Sequence, residues 1–380
     1  MREDIEMGSQ ISMFDGETQF KITKPLRLIE LFGGYGSQSL ALKYLGVPFE
    51  HWRLCEWAIP SIQAYKDLHF EQDTTDYSVG MNKIELVKTL HKLGISSDYN
   101  QPLTQEKLNR YSESKLRTIY NNIRACHNLV SICNVRGEDL GIQETDKYCY
   151  LMTYSFPCQD ISVAGLGKGM ERGRGTRSGL LWEVERLLTE IKELPQVLLM
   201  ENVKQVVGQK NIKAFAEWVA FLDKLGYHSK WQVLNATDFS IPQNRERCFM
   251  VSVLGNHYCE FPKVIGNKLQ LKDILEKNVA ERYYLKKSIV HYFIKHTEES
   301  IEKENGFRFA PSGGRVCQNY NDKSRKPHGR QLYKGIVVSK CGKVIEKETD
   351  ISMTILARDY KGFGNQATTG VLEWIKNSIL

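Results

Sequence analysis

Short runs of apolar residues alternate with longer amphipathic stretches over the first part of the chain. The apolar runs are hydrophobic on both faces, which is typical of strands in a parallel sheet that helices cover on both sides. The stretches between them repeat apolar residues at helical spacing. The pattern therefore predicts an α/β fold, with strands at 26–32, 51–56, 150–155 and 195–200 and helices at 37–45, 59–68 and 177–194.

Two segments depart from this alternation. Residues 70–128 are rich in Lys, Asn, Ser and Tyr and have helical periodicity without a strand pattern, so we interpret them as a helical insertion at the rim of the sheet. From residue 255 the alternation stops, and polar stretches surround short strand-like pieces such as 335–339. A chain of 380 residues is expected to form two unequal domains. We divide it into a polar N-terminal extension (1–25), a main domain (26–254) and a smaller mixed domain (255–380).

The composition argues against several classes of protein. The nine cysteines form no C-x-x-C pair and no cluster with histidine at zinc spacing, so neither a disulfide framework nor a metal site is expected. A reduced compartment, the bacterial cytosol or nucleoid, is the expected location. No apolar stretch reaches about 18 residues, so no membrane span is expected. The formal net charge of +7 fits a protein that handles a polyanion, although a solvated basic surface would also account for it.

A glycine-rich turn follows the first predicted strand. It reads Phe32-Gly33-Gly34-Tyr35-Gly36, and a predicted helix begins directly after it. Glycines after a buried strand let the backbone approach a ligand closely. The turn is neither the dinucleotide fingerprint nor a phosphate loop, which would end in Lys-Ser or Lys-Thr. On its own, a plain strand–helix connection explains it equally well.

An acid and an aromatic residue follow the second predicted strand. Glu56 lies where a carboxylate can accept hydrogen bonds from ribose hydroxyls, and Trp57 beside it could stack on adenine. The alternative for Trp57 is a core aromatic residue. Together with the glycine turn, the two residues favour a cofactor that contains a nucleoside.

A cysteine follows the third predicted strand in the segment Ser155-Phe156-Pro157-Cys158-Gln159. Most lone cysteines are buried and inert. Cys158, however, lies at the carboxyl end of a strand, where open α/β sheets bind ligands. The stretch that follows it, 160–178, is rich in glycine and charge and is typical of a lid. These features favour a nucleophile.

Two further segments carry candidate polar groups. Met200-Glu201-Asn202-Val203 places an acid at the end of the next strand, where Glu201 could donate a proton or orient a substrate. A surface acid is the alternative. In the segment 243–249, Arg245 and Arg247 are two residues apart and would project from the same face of an extended segment. They could hold carbonyl or anionic oxygens, or form solvated charge pairs.

In this order the segments resemble the motifs of the DNA (cytosine-5-)-methyltransferases, of the restriction–modification or phage type. The resemblance rests on the glycine turn, Glu56, Pro157-Cys158, the Glu-Asn-Val of 201–203 and the Gln-x-Arg-x-Arg of 243–247, and it covers about 26–253. It implies a Rossmann-like, S-adenosylmethionine-dependent domain with a smaller, mixed target-recognition domain. The substrate would be double-stranded DNA, from which the target cytosine is flipped out.

The resemblance also implies roles for single residues. Cys158 would add to C6 of the cytosine, Glu201 would contact N3 and the exocyclic amine, and Arg247 would hold O2, with Arg245 and Gln159 assisting. At 137–140 the chain has two adjacent acids where the family has one, and we favour Asp139 because Leu140 then takes the aliphatic position. The donor would be held by Phe32, Gly33, Gly34, Tyr35, Gly36, Glu56, Trp57, Asp139, Leu140 and Pro157.

The carboxyl-terminal part departs from the family pattern. Residues 354–360 resemble the segment that closes the recognition domain, but the Arg-x-Leu-Thr-Pro-x-Glu and Gly-Asn-Ser motifs are not found after it. We expect these closing motifs to be missing, which leaves a truncated chain, a decayed copy, or a split enzyme that a second polypeptide completes. A cognate restriction endonuclease is a further expected partner. The alternative functions are an inactive DNA-binding protein of the same fold and an RNA cytosine-C5 methyltransferase.

Overall fold

The computed structural model describes residues 18–161, 169–173, 177–266 and 268–274, together with the backbone of four short strands between 331 and 353. The chain divides into two compact units. The first comprises Met1–Val233 and Arg247–Phe261, and the second comprises Leu234–Glu246 and Pro262–Leu380. The closing segment expected at 354–360 and most of the lid expected at 160–178 lie outside the described residues.

A six-stranded sheet forms the centre of the first unit, in the order β3-β2-β4-β5-β8-β6. Strands β2, β3, β4 and β5 are parallel, and β8 runs antiparallel to β5. The predicted α/β fold with a largely parallel sheet is confirmed. In chain order the described strands before residue 262, of which β7 belongs to the second unit, are β1 (Thr18–Gln19), β2 (Leu26–Leu31), β3 (Phe49–Cys55), β4 (Cys149–Tyr154), β5 (Val197–Val203), β6 (Tyr227–Asn235), β7 (Gln243–Asn244), β8 (Glu246–Leu254) and β9 (His257–Tyr258).

Helices cover both faces of the sheet or form the insertion. The segment 70–128, predicted to be helical, contains α3, α4 and α5. Helix α3 begins at a capping box between Asn82 and Glu85 and ends at Gly94, which is left-handed. The helix predicted at 177–194 is shorter, because a 3-10 turn occupies Ser178–Leu180. The helices are α1 (Ser37–Tyr44), α2 (Ile59–His69), α3 (Lys83–Leu93), α4 (Gln105–Asn109), α5 (Glu113–Ala125), α6 (Leu181–Glu190) and α7 (Ile212–Lys224).

Among the described residues, the two largest of three apolar clusters stabilise most of the first unit. The larger joins the sheet to α6 and α7, and at its centre the fully buried Trp218 donates a hydrogen bond from Nε1 to the hydroxyl of Tyr154 at 3.1 Å. The smaller joins α2 to the helices of the insertion and includes Ile62, Leu86 and Leu90. The insertion therefore shares its apolar core with α2.

The order of the strands creates a crevice between β2 and β4. Strand β2 has β3 on one side and β4 on the other, so the chain leaves these two neighbouring strands in opposite directions. Ligands bind at such points, beyond the carboxyl ends of the strands. The glycine turn follows β2 and the segment with Cys158 follows β4, so the two predicted motifs lie on either side of this crevice.

No strand forms among the described residues between α5 and β4. In the described stretch between α5 and β4 the structure has two 3-10 turns, Ile132–Asn134 and Gly137–Leu140, and a single parallel bridge between Leu54 and Asn128. The backbone is left-handed at His127 (φ 50°) and at Val130 (φ 72°). A β-ladder cannot continue through such residues, so the pairing ends after one bridge.

The second unit is described in part. A 3-10 turn at Ala236–Phe239 precedes β7, and β7 pairs in parallel with β13 (Ser352–Met353). Strands β10 (Gln331–Leu332), β11 (Ile336–Val338) and β12 (Val344–Ile345) form an antiparallel sheet. Strand β11 confirms the strand-like piece predicted at 335–339. Within the described residues of both units, no helix is long and apolar enough to cross a membrane.

Candidate active site

The glycine turn is a strained loop with one open side. Its backbone is left-handed at Phe32 (φ 58°), Gly34 (φ 57°) and Gly36 (φ 82°). A Cβ atom at Gly33 would collide with Leu54, and one at Gly36 would collide with the ring of His69, so these glycines are needed for packing. A Cβ atom at Gly34 would meet nothing within 4 Å. The turn therefore offers exposed backbone to a ligand at Gly34, as a cofactor cradle requires.

The buried carboxyl group of Glu30 helps to hold the elements on either side of this turn. Glu30, in β2, is 1% exposed. It accepts hydrogen bonds from the backbone N–H of Ser39 at 3.3 Å and from the hydroxyl of Tyr65 at 2.5 Å. Burial raises the pKa of Glu30. His69, on the same helix as Tyr65, donates from Nε2 to the carbonyl of Tyr35 at 2.9 Å, so α2 holds both the strand and the turn.

Glu56 lies directly against the turn. Its carboxylate accepts the backbone N–H of Gly34 at 3.0 Å through Oε2 and that of Ala58 at 2.7 Å through Oε1. The residue is 7% exposed, and burial raises the pKa of its carboxyl group to about 7. The structure thus brings together the acid and the glycine turn that the sequence singled out separately. Each carboxylate oxygen keeps a further lone pair for a hydroxyl donor.

Trp57 is half-buried and packs against the apolar cluster of the helical insertion. This is the core role considered as the alternative for Trp57, and stacking on adenine stays a prediction. Its carbonyl accepts the N–H of Ser96 at 2.7 Å, which holds the end of β3 against the insertion.

Asp139 and Leu140 lie in the 3-10 turn Gly137–Leu140. The carboxylate of Asp139 accepts the backbone N–H of Arg136 at 2.9 Å and is 34% exposed. The side chain of Leu140 is fully buried in the larger cluster, and its carbonyl accepts Nε1 of Trp52 at 2.9 Å. Both residues have structural roles here, and their contacts with a donor stay predictions.

The segment that carries Cys158 is fixed by hydrogen bonds to its backbone. Asn202 donates from Nδ2 to the carbonyl of Phe156 at 3.0 Å, and Ser178 donates from Oγ to the carbonyl of Pro157 at 2.7 Å. The carbonyl of Cys158 accepts the N–H of Ile161 at 3.1 Å, which closes a tight turn. The cysteine itself is partly exposed, whereas Cys55 and Cys248 are buried. A partly exposed thiol on a well-anchored turn can act as a nucleophile.

Gln159 is exposed and hydrogen-bonded to an arginine. Its Oε1 accepts Nη1 of Arg177 at 3.0 Å, and the backbone N–H of Arg177 donates to Asp160 at 2.8 Å. The other guanidinium nitrogen, Nη2, donates to Asn100 of the helical insertion at 2.5 Å. Arg177 therefore links the insertion to the turn with Cys158.

Glu201 and Arg247 form an ion pair on adjacent strands. Nε of Arg247 lies 3.0 Å from Oε1 of Glu201, and the side chains are 17% and 22% exposed, respectively. Because Asn202 of the same strand binds the carbonyl of Phe156, this pair is anchored to the segment with Cys158. An acid, a guanidinium group and a thiol at one edge of a sheet can bind and activate a polar heterocycle.

Arg245 does not share the setting of Arg247. It lies in the break between β7 and β8, and its backbone N–H donates to Oδ1 of Asn235 at 2.9 Å. It belongs to the second compact unit, whereas Arg247 belongs to the first. The role expected for Arg245 stays a prediction.

Three supporting residues were missed by the sequence analysis. Asn202 was quoted only as part of Glu-Asn-Val, and Ser178 and Asn128 were not singled out. All three are buried and hydrogen-bonded to backbone groups next to predicted site residues. For Asn202 the adjacent Glu201 was a usable signal, but nothing local marks Ser178 or Asn128.

The model of the family "C-5 cytosine-specific DNA methylase" matches residues 107–362. The orphan methyltransferase M.SssI of Spiroplasma monobiae is 38% identical over 286 residues, which cover 74% of this chain and 73% of that protein. The Type II methyltransferase M2.ScrFI of Lactococcus lactis subsp. cremoris is 36% identical over 267 residues, covering 70% of this chain and 71% of that protein.

Among solved structures, the S. pombe Dnmt2 methyltransferase matches with a TM-score of 0.44 and 16% identity, over 71% of this chain and 66% of that chain.

In the part of this chain that the structure describes, no group of three or more His, Cys, Asp or Glu residues could hold a metal ion. The family match and the two relatives show the family of this chain. This chain belongs to the family of C-5 cytosine-specific DNA methylases, enzymes that use S-adenosylmethionine to methylate carbon 5 of cytosine in DNA.

Proposed function

We propose that Cys158 is the covalent nucleophile of this enzyme and that its target is a cytosine flipped out of a specific duplex sequence. One observation carries the proposal: Asn202 fixes the turn of Cys158 to the same strand end that bears the Glu201–Arg247 pair. In this proposal the thiol, the carboxyl group and the guanidinium group line one pocket and act on one base. Stacked bases cannot reach such a pocket, so the cytosine must leave the duplex.

The covalent step begins at C6 of the ring. The thiolate of Cys158 adds to C6, an S–C6 bond forms, and the electron pair of the C5–C6 double bond makes C5 nucleophilic. A proton or hydrogen bond from Glu201 at N3 would stabilise this electron-rich ring. C5 would take the methyl carbon as its bond to the sulfonium sulfur breaks, which leaves the neutral thioether S-adenosylhomocysteine. A base would then remove the C5 proton. The electrons of that C–H bond re-form the double bond and expel the thiolate.

Glu201 and Arg247 share the recognition of the cytosine in this proposal. Arg247 presents a fixed set of N–H donors suited to the O2 carbonyl, and Glu201 faces N3 and the exocyclic amine. In the free protein the two side chains hold each other at 3.0 Å. The entering base would exchange this ion pair for contacts with both. Arg245 and Gln159 are proposed to assist the closed lid.

The residues around the glycine turn fit the donor S-adenosylmethionine. Gly34 leaves open space above its backbone, and the Glu56 carboxylate beside it has lone pairs for the ribose hydroxyls. When bound, the donor supplies an electrophilic methyl group on a sulfonium sulfur. The proposed donor contacts are Phe32, Gly33, Gly34, Tyr35, Gly36, Glu56, Trp57, Asp139, Leu140 and Pro157.

Sequence recognition is assigned to the smaller domain, 255–380, whose Arg, Lys, Asn and Gln side chains would read base edges in the major groove. This division into domains is also a proposal. The cognate restriction endonuclease expected from the sequence stays a prediction, because M.SssI is named an orphan methyltransferase and M2.ScrFI a Type II methyltransferase.

A covalent trapping experiment tests the nucleophile. Mixed-sequence duplex DNA containing 5-fluorocytosine is incubated with S-adenosylmethionine and protein, and adducts are detected on denaturing gels. Fluorine at C5 cannot leave as a proton does, so the covalent complex should persist with the wild type. Cys158→Ser should give no adduct, whereas Cys133→Ser, at an exposed cysteine, should give the full amount. An adduct with Cys158→Ser would show that another residue is the nucleophile.

A further inference from the structure

Asn128 holds the backbone of Glu56 on both sides. Its Oδ1 accepts the N–H of Glu56 at 3.0 Å, and its Nδ2 donates to the carbonyl of Glu56 at 2.9 Å. Oδ1 also accepts the N–H of Val130 at 2.9 Å. The residue is 7% exposed, so these bonds form away from water, where leaving a polar group unpaired is costly.

The side chain of Asn128 replaces a missing strand at this edge of the sheet. Strand β3 ends at Cys55, and the single bridge between Leu54 and Asn128 is where a neighbouring strand begins to pair and stops. Directly beyond it, the backbone groups of Glu56 find their partners in the amide of Asn128. A carboxamide reproduces the donor and acceptor that a paired strand would present.

The backbone around Asn128 is strained. His127 has φ 50° and Val130 has φ 72°, and a β-branched residue such as valine rarely adopts this conformation. Such a conformation is unfavourable on its own and persists only where the surrounding contacts fix it. Here the bonds from Leu129 N–H to the Leu54 carbonyl (2.7 Å) and from Val130 N–H to Asn128 fix the segment.

Fixing the backbone of Glu56 also fixes its carboxylate. The two oxygens already accept N–H groups from Gly34 and Ala58, so the acid connects Asn128 to the glycine turn. A chain of hydrogen bonds thus runs from the end of the helical insertion through Glu56 to the open backbone at Gly34. A small rotation of Glu56 would misplace the oxygen lone pairs that remain for a ligand.

We propose that Asn128 is a positioning residue for the donor's ribose, acting through Glu56. This inference rests on the proposed donor role of Glu56. It gives the helical insertion a part in donor affinity, although no side chain of the insertion needs to touch the donor. The effect should be specific to the ribose hydroxyls, because these are the groups that Glu56 is positioned to bind.

The test measures binding of the donor product, without DNA and without turnover. Calorimetric dissociation constants are compared for S-adenosylhomocysteine and for its 2′,3′-dideoxyribose analogue. With the wild type, S-adenosylhomocysteine should bind at least about tenfold more tightly than the analogue. Asn128→Ala should weaken S-adenosylhomocysteine about tenfold and the analogue less than about twofold. Asn128→Ser keeps one hydrogen-bonding group, so its dissociation constant for S-adenosylhomocysteine should lie between those of the wild type and Asn128→Ala. It replaces the alanine variant in the test if that variant does not fold.

Asn122 provides a matched control. It is another buried asparagine, 8% exposed, and donates from Nδ2 to Gln63 at 2.6 Å. Asn122→Ala should lower thermal stability as Asn128→Ala does, and should leave both dissociation constants unchanged.

Two results would overturn the proposal, and they differ in what else they affect. Equal weakening of both ligands by Asn128→Ala would make its role structural only, with the donor role of Glu56 intact. If the wild type binds both ligands equally, Glu56 does not bind the ribose hydroxyls. The proposal for Asn128 then fails as well. Neither result bears on Cys158, whose adduct is measured separately.

Discussion

Arg247 and Glu201 meet diagonally across two antiparallel strands, with Nε 3.0 Å from Oε1. In the ladder, Glu201 is directly opposite Phe249, and Arg247 is directly opposite Val203. The two charged side chains therefore lie on the same face of the sheet, one step apart. In the proposed mechanism the ion pair keeps both side chains ordered until the cytosine enters. Each side chain then binds the cytosine.

The guanidinium group of Arg247 should be needed for a normal methylation rate but not for binding of the methyl donor. We expect Arg247→Ala to lower the single-turnover methylation rate about 10²- to 10³-fold, because a preorganised hydrogen-bond donor to the cytosine ring is lost. Arg247→Lys keeps the charge without the planar donor pair and should recover only part of that loss. Affinity for S-adenosylhomocysteine should stay within about twofold in both variants. Full activity of Arg247→Ala would contradict the role given to the pair.

Asn202 should act on the rate through the turn of Cys158. Asn202→Ala removes the bond to the Phe156 carbonyl, so the thiol is less well placed, and we expect a fall of about 10- to 100-fold in single-turnover rate. Asn211→Ala is the matched control, because Asn211 is also buried and donates from Nδ2 to the Gln205 carbonyl at 2.9 Å. If both variants lose the same fraction of activity, the effect is one of general stability.

Donor binding should depend on pH through Glu56. Burial raises the pKa of this carboxyl group from 4.5 to about 7. The group must therefore lose its proton before it can bind the ribose hydroxyls as a carboxylate. Affinity for S-adenosylhomocysteine should therefore rise about tenfold between pH 6 and pH 8. Glu56→Gln cannot ionise, and its affinity should be low and flat over this range. A pH profile of Glu56→Gln that parallels the wild type would assign the titration to another group.

The same pKa has the opposite effect on the stability of the free protein. A carboxyl group whose pKa is raised on folding stabilises the folded state fully below its unfolded value of 4.5, and this contribution is lost as the pH rises through about 7. Denaturant unfolding of the wild type should therefore show a loss of stability over this window that Glu56→Gln lacks.

Gly34 and Gly46 allow the open side of the glycine turn to be tested. Both glycines are left-handed, with φ 57° and 67°, and a Cβ atom at either would meet nothing within 4 Å. Alanine at either position should cost about 1 kcal/mol of stability for the backbone conformation alone. Only Gly34→Ala should also abolish donor binding, because its methyl group would occupy the proposed donor space. Equal donor affinity in the two variants would place the donor elsewhere.

The sequence predicted the parts of the fold that local pattern determines. Strands such as β2 and β4 are apolar along their length, and the Pro157-Cys158 segment directly follows one of them, so both the sheet and the loop were visible. The pairing of Glu201 with Arg247 was not predicted, because it depends on the register between strands that are far apart in the chain.

Other features could not be predicted for physical reasons. Asn128 follows α5 with no repeat or spacing that marks it, and its partner Glu56 is 72 residues away. Arg245 and Arg247 are close in sequence, yet they belong to different compact units. Arg247 pairs with Val203 in the ladder of β5 and β8, whereas Arg245 lies in the break between β7 and β8. Asp139 was chosen by motif, whereas in the structure its carboxylate caps the start of its own turn.

The bond from Arg177 to Asn100 sets a limit on engineering this enzyme. The helical insertion carries Asn100 beside the turn of Cys158 and Asn128 behind Glu56, so it meets both halves of the crevice. It also shares its apolar core with α2, so it is not an independent module that can be exchanged as a unit. Chimeras that graft this segment from another methyltransferase, or shortened versions that delete it, would need to restore both amide contacts to remain competent.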